Sequence, residues 1–145
     1  MQVRHILREK GGEIITISSE ATLSEASCLL SRKRIGALVV RGEAGELAGI
    51  LSERDVVRAV AEESVGALAR PVRAYMTRTV ATCGESDSVD ELMEMMTRGR
   101  FRHVPVIGER ERLVGIVSIG DVVKSRIEET VREAAALREY ISAAG

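Results

Sequence analysis

Two short runs hold the side chains whose type and spacing could do chemistry. In Gly49-Ile50-Leu51-Ser52-Glu53-Arg54-Asp55-Val56-Val57 a Ser precedes an Asp by three positions. The run Gly115-Ile116-Val117-Ser118-Ile119-Gly120-Asp121-Val122-Val123 restates it 66 positions later. The apolar residues before each Ser read as strand and those after each Asp as helix, so each pair sits at a helix start. Free backbone N–H groups and the helix dipole favour an anion there. The Ser hydroxyl and those amides are donors for phosphate, while the carboxylate accepts from a pair of hydroxyls such as those of ribose. The same residues also make ordinary caps, with Ser52 and Ser118 as N-caps and the Asp residues as dipole partners. Recurrence at a fixed offset favours the ligand grip.

Enzyme signatures are weak. The chain has no Gly-x-Gly, so the dinucleotide fingerprint is absent. Gly115 to Gly120 has P-loop glycine spacing, but Asp121 stands where Lys is required and would repel phosphates. His5 and His103 are the only histidines, and neither has a Cys or carboxylate at metal-ligand spacing. A nucleophile drawn from Ser52, Ser118 or a Cys has no His nearby in sequence to act as base. Cys28 and Cys83 read as isolated, buried thiols.

Composition narrows the partners. Net charge is −1, with 21 basic and 22 acidic residues interspersed, which argues against a nucleic-acid surface. Only 2% of residues are aromatic, so there is no stacking platform for single strands and the core must be aliphatic. No apolar run reaches the roughly 18 residues of a membrane span, and no leader opens the sequence, so a cytoplasmic location is expected. At 145 residues, two repeats are expected to share one core.

The elements that position these residues repeat as well. Thr16 falls on Thr82, Glu25 on Glu91, Arg34 on Arg100 and Val40 on Val106 at the same offset, which marks a duplicated unit. Residues 3–9 read as a short amphipathic helix ending at Gly11-Gly12. Ile14 to Ile17 is a strand, and Thr22 or Ser24 caps a helix to about Lys33. Ala37 to Val40 and Leu47 to Leu51 are paired strands, and a helix follows from Glu53. Val80-Ala81-Thr82, a helix from Ser88, strands Val104–Ile107 and Leu113–Val117, and a helix from Ser118 restate the pattern. The expected organisation is an N-terminal helix (1–12), repeat one (13–61), a linker (62–76), repeat two (77–126) and a C-terminal helix extension (127–145). That extension continues an apolar stripe through Ile127, Val131, Ala134, Leu137 and Ile141. A homodimer contact is the favoured cover for it, with packing on the N-terminal helix as the competing one.

Two copies of strand–helix–strand–strand–helix, each closing with G-I-[LV]-S-x-x-D-V-V, resemble a tandem pair of cystathionine-β-synthase (CBS) domains. The segments Arg34 to Val40 and Arg102 to Val106 are similar to the family's helix-to-strand segments. The resemblance covers residues 13–126. It implies an α+β or α/β fold of two pseudo-symmetric β-α-β-β-α repeats packed through their sheets. It also implies a non-enzymatic regulatory module with clefts between the repeats for AMP, ADP, ATP, S-adenosylmethionine or, in small stand-alone bacterial members, NAD. No metal is required, the modules pair as homodimers, and a separate protein partner would receive the signal.

By the same resemblance, one cleft takes Ser118, Gly120 and Asp121, with Thr79 and Val80 leading to its strand and Arg102 and His103 as basic residues. The other takes Ser52, Arg54 and Asp55, with Gly36 and Ala37 where Arg102 and His103 stand. That departure removes two donors, and Glu53 adds a negative charge that Arg54 offsets, so the Asp121 cleft is expected to be the stronger. A structural dimerisation or scaffold module with unoccupied clefts is the competing function.

Overall fold

The computed structural model describes residues 1–11 and 13–144. The chain divides into two compact units, Glu13–Ala81 and a second made of Met1–Gly12 together with Thr82–Gly145. The N-terminal helix therefore belongs with repeat two, not with the repeat it precedes.

The first unit begins with β1 (Thr16–Ser18), α2 (Leu23–Lys33) and β2 (Ala37–Arg41), following α1 (Val3–Lys10) in chain order. Thr22 caps α2, its hydroxyl accepting from the Glu25 N–H at 3.1 Å. Strand β2 lies parallel to β1, with Thr16 opposite Val39, and antiparallel to β3 (Leu47–Ser52), with Leu38 opposite Leu51. The chain then enters α3 (Glu53–Glu63) directly from β3. Leu23, Ala26, Leu30, Leu38, Val40 and Leu51 form the core of this unit. Each fully buried Leu contributes about 1.5–3 kcal/mol.

Repeat two reuses the same bounds shifted by 66: α4 (Val89–Gly99), β5 (His103–Ile107) and β6 (Leu113–Ser118). Even the bulge recurs, at Val40/Arg41 and at Val106/Ile107. The last element, α5, runs unbroken from Ile119 to Ala144. The first strand differs from expectation. It is β4 (Cys83–Gly84), and Val80 to Thr82 lie outside it. The pair equivalent to Thr16 and Val39 is missing there. Pro105 takes the place of Val39 and has no N–H to give a neighbouring strand.

Within the units, buried apolar side chains gather in one cluster each. Val3 and Ile6 of α1 complete the cluster of Val89, Leu92, Met96, Val104, Val106, Val117 and Val122. Val72, in the stretch expected as a plain linker, performs the same service for repeat one. That stretch folds into short 3₁₀ turns at Ser64–Ala69 and Val72–Ala74. The two dockings are copies of each other. Val3 and Arg4 donate backbone N–H bonds to the carbonyls of Asp87 and Glu85 at 2.9 and 3.0 Å. Val72 and Arg73 donate to Ala21 and Ser19 at 2.8 and 3.0 Å. The donors are 69 positions apart and the acceptors 66. In both, the docked segment crosses a glycine. A Cβ on Gly115 would stand 2.5 Å from Leu7 Cδ2, and one on Gly49 would stand 2.5 Å from the Thr77 carbonyl oxygen.

Among the described residues no helix is long and apolar enough to cross a membrane. Cys83 is buried as expected, but Cys28 is exposed. It stands two residues from Ala26, off the buried Leu23–Ala26–Leu30 stripe of α2. Gly11 caps α1 with φ of 89°, and the expected role of Gly12 lies outside the described residues.

Candidate functional site

In each repeat an antiparallel strand runs straight into a helix, so the strand's last residue, Ser52 or Ser118, becomes the helix cap. In repeat one the Ser52 Oγ accepts from the Asp55 N–H at 3.3 Å, and Asp55 Oδ2 accepts from the Ser52 N–H at 2.8 Å and from its hydroxyl at 3.0 Å. In repeat two the Ser118 Oγ accepts from the Asp121 N–H at 3.1 Å, and Asp121 Oδ2 accepts from the Ser118 N–H at 2.9 Å. Both pairs are reciprocal capping boxes, so each Ser is an ordinary helix cap as well as a candidate ligand group. The boxes do not exhaust the carboxylates. The bonds from Lys10 and from the Ser118 N–H both reach the Oδ2 atom of Asp121. In Asp55 the Oδ1 atom lies 3.5 Å from the Arg58 guanidinium.

The cups differ in their cations. Lys10, the last residue of α1, donates from Nζ to Asp121 Oδ2 at 2.7 Å and to the Ile116 carbonyl at 2.7 Å. Burial pushes the Asp121 carboxyl upward. The hydrogen bond from Lys10, the Ser118 N–H and the Lys10 charge outweigh it, and the net direction is down. Lys10 was not among the expected site residues. The signal for it was the helical stripe of residues 3–9, whose C-terminal end had to lie somewhere on the protein.

The other expected residues divide. Gly36 and Arg102 act first through their backbones: the Glu53 N–H donates to the Gly36 carbonyl at 2.9 Å and the Ile119 N–H to the Arg102 carbonyl at 2.8 Å. This ties each helix-to-strand segment to the start of the next helix. The Arg102 side chain is exposed. Ala37 and His103 open β2 and β5, opposite Ser52 and Ser118 respectively. Ala37 is buried and His103 half-buried. Gly120 and Arg54 occupy the same exposed position in the first turns of α5 and α3. Thr79 and Val80 fall in the first unit and outside any strand or helix. A groove of about 520 Å³ in that unit is lined by Ser31, Arg34, Ile35, Gly36, Glu53 and Val56 among others, but not by Ser52 or Asp55.

The sequence matches the family model of the CBS domain twice, over residues 3–62 and 72–128. Both matches begin at the docking segments, at Val3 and Val72. The fold is similar to the CBS-domain containing protein ATU1752 from Agrobacterium tumefaciens, at 45% identity and a TM-score of 0.83, over 86% of this chain and 92% of that one. It is similar to the CBS domain pair of protein MJ0100 in complex with 5′-methylthioadenosine and S-adenosyl-L-methionine, at 29% identity and 0.78, over 89% and 98%. It is also similar to the CBS domain protein PAE2072 from Pyrobaculum aerophilum complexed with AMP, at 27% identity and 0.73, over 83% and 89%.

Proposed function

The chain belongs to the CBS-domain family, and on that premise we propose that it is a regulatory, non-enzymatic module that binds an adenosine-containing ligand at Asp121 and at Asp55. The observation that carries this reading is the twice-built serine–aspartate cup at a helix start, in a fold whose relatives hold AMP, 5′-methylthioadenosine and S-adenosylmethionine. Those three compounds share the adenosine and differ beyond it, so the common element is a base and a ribose. A carboxylate is the acceptor a pair of ribose hydroxyls needs, and the helix start supplies donors for phosphate.

The Asp121 cup comprises Ser118, Gly120 and Asp121 with Arg102 and His103; the Asp55 cup comprises Ser52, Arg54 and Asp55 with Gly36 and Ala37. ADP, ATP and NAD belong to the same ligand class. The ligand acts by binding one arrangement of a homodimer better than another, and a separate protein reads the change. The exposed apolar stripe of α5 supports the dimer: Ile127, Val131, Leu137 and Ile141 are each about 60% exposed. The N-terminal segment covers the start of α5, where Val122 is buried in a cluster with Val3 and Ile6 and the Ser125 hydroxyl donates to the Met1 sulfur. A cytoplasmic setting completes the reading, since a free exposed thiol suits a reducing compartment.

Isothermal titration of AMP, ATP, NAD and S-adenosylmethionine tests it. Heat from at least one, weakened more by Asp121→Ala than by Asp55→Ala, is the expected result. Silence from all four would leave a scaffold with empty cups.

A further inference from the structure

The Asp121 cup contains a cation that the repeat does not carry over to Asp55. Lys10 lies on Asp121 at 2.7 Å with its side chain 34% exposed, and Asp121 itself is 24% exposed. An ammonium has three N–H donors. Among the described residues two are spent, on Asp121 Oδ2 and the Ile116 carbonyl, and one is left.

Anchoring α1 does not require this contact. The equivalent docking on repeat one is complete through its backbone bonds and through Met76 and Thr77 on Gly49. In the docking register of 69 positions, Lys10 corresponds to Thr79, which carries no charge. The carboxylate of repeat one is partnered instead by Arg58, one turn along its own helix and 59% exposed. Lys10 is therefore an addition to the docking, placed on the carboxylate proposed to take the sugar.

We infer that Lys10 determines specificity at the Asp121 cup, making it select adenosine ligands with an anionic group at the 5′ position over neutral ones. The inference rests on the adenosine reading given above. With its own charge balanced by Lys10, Asp121 does not repel a phosphate near it. The remaining N–H of Lys10 and the start of α5 offer that phosphate donors. A neutral 5′-thioether or hydroxyl gains nothing from either.

The test titrates adenosine, 5′-methylthioadenosine and AMP into the full chain and into Lys10→Met, Lys10→Arg and Asp121→Asn. Lys10→Met should weaken AMP about tenfold or more, the scale of a lost charge-assisted bond, and move the two neutral ligands by less than about threefold. Lys10→Arg should restore most of the AMP affinity, and Asp121→Asn should weaken all three. Equal losses of AMP and adenosine in Lys10→Met would make Lys10 a positioning residue for Asp121 and overturn the inference, as would no loss at all. Should Lys10→Met fail to fold, the unaltered chain still decides: AMP affinity should fall with added salt while adenosine affinity holds, and parallel behaviour overturns the inference. If the unaltered chain binds none of the three, the inference is overturned, and the adenosine reading falls with it only if ATP, NAD and S-adenosylmethionine are silent too; binding of adenosine without preference for AMP sinks the inference alone.

Discussion

Lys10 Nζ and Asp121 Oδ2 stand 2.7 Å apart and join the last residue of α1 to the first turn of α5, across 111 positions of sequence. The pair makes an N-terminal helix part of the second repeat's candidate site.

It also gives that site a pH dependence of known sign. The Asp121 carboxyl is held below its ordinary value of 3.8, so folding favours its ionised form. Its stabilising contribution is whole above that ordinary value and is lost as pH falls through the lower, folded one. Thermal melts from about pH 6 to about pH 3 should show Asp121→Asn less stable than the unaltered chain at the upper end, with the gap closing at the lower end. A gap that widens on acidification would contradict the pairing.

The two docking glycines predict unequal costs. A Cβ at Gly49 meets the Thr77 carbonyl oxygen at 2.5 Å, and that oxygen is pinned by the Ile50 N–H at 3.0 Å. A Cβ at Gly115 meets only the end of the Leu7 side chain, which can turn away. Gly49→Ala should cost roughly 1–3 kcal/mol and Gly115→Ala less than about 1 kcal/mol. Denaturant midpoints of the two variants read the difference directly.

The cysteines should separate by reactivity. Burial, together with the Asp87 charge, pushes the Cys83 thiol up to about 12, so almost none is thiolate near neutral pH. Cys28 is exposed. Native protein treated with iodoacetamide should take one label, at Cys28, and a second only on unfolding. Mass spectrometry of the digested protein identifies the site.

The stripe on α5 makes an assembly prediction. Ile127→Glu with Leu137→Glu places two charges among side chains that are already exposed in the single chain, so the fold should tolerate them. Sedimentation should show the unaltered chain as a dimer and the double variant as a monomer. A unaltered chain that sediments as a monomer would remove the dimer from the account.

How much of this was legible in the sequence depended on whether the information was local or repeated. Elements α2, β2, β3 and their copies were readable because each has its own apolar period and the copies agree at a single offset. Residue type pointed to caps at Ser52, Ser88 and Ser118 and left the cap of α2 open between Thr22 and Ser24, of which Thr22 serves. The strand expected at Val80 to Thr82 failed because Pro105, more than 20 positions away, removes the N–H its partner would supply. Cys28 was misplaced because a thiol's average burial says nothing about which side of α2 it occupies. Lys10 could not be found by the offset of 66, since the docking segments obey 69. Its partner is a tertiary fact, set by where α1 lands.

The central claim is that the serine–aspartate cups hold the sugar of an adenosine ligand. A crystal structure of the chain grown with AMP tests it most directly. The account predicts nucleotide density with the ribose hydroxyls on the Asp121 carboxylate and the phosphate within reach of Lys10. Density for AMP elsewhere, with Asp121 bonded only to Lys10 and Ser118, would contradict it.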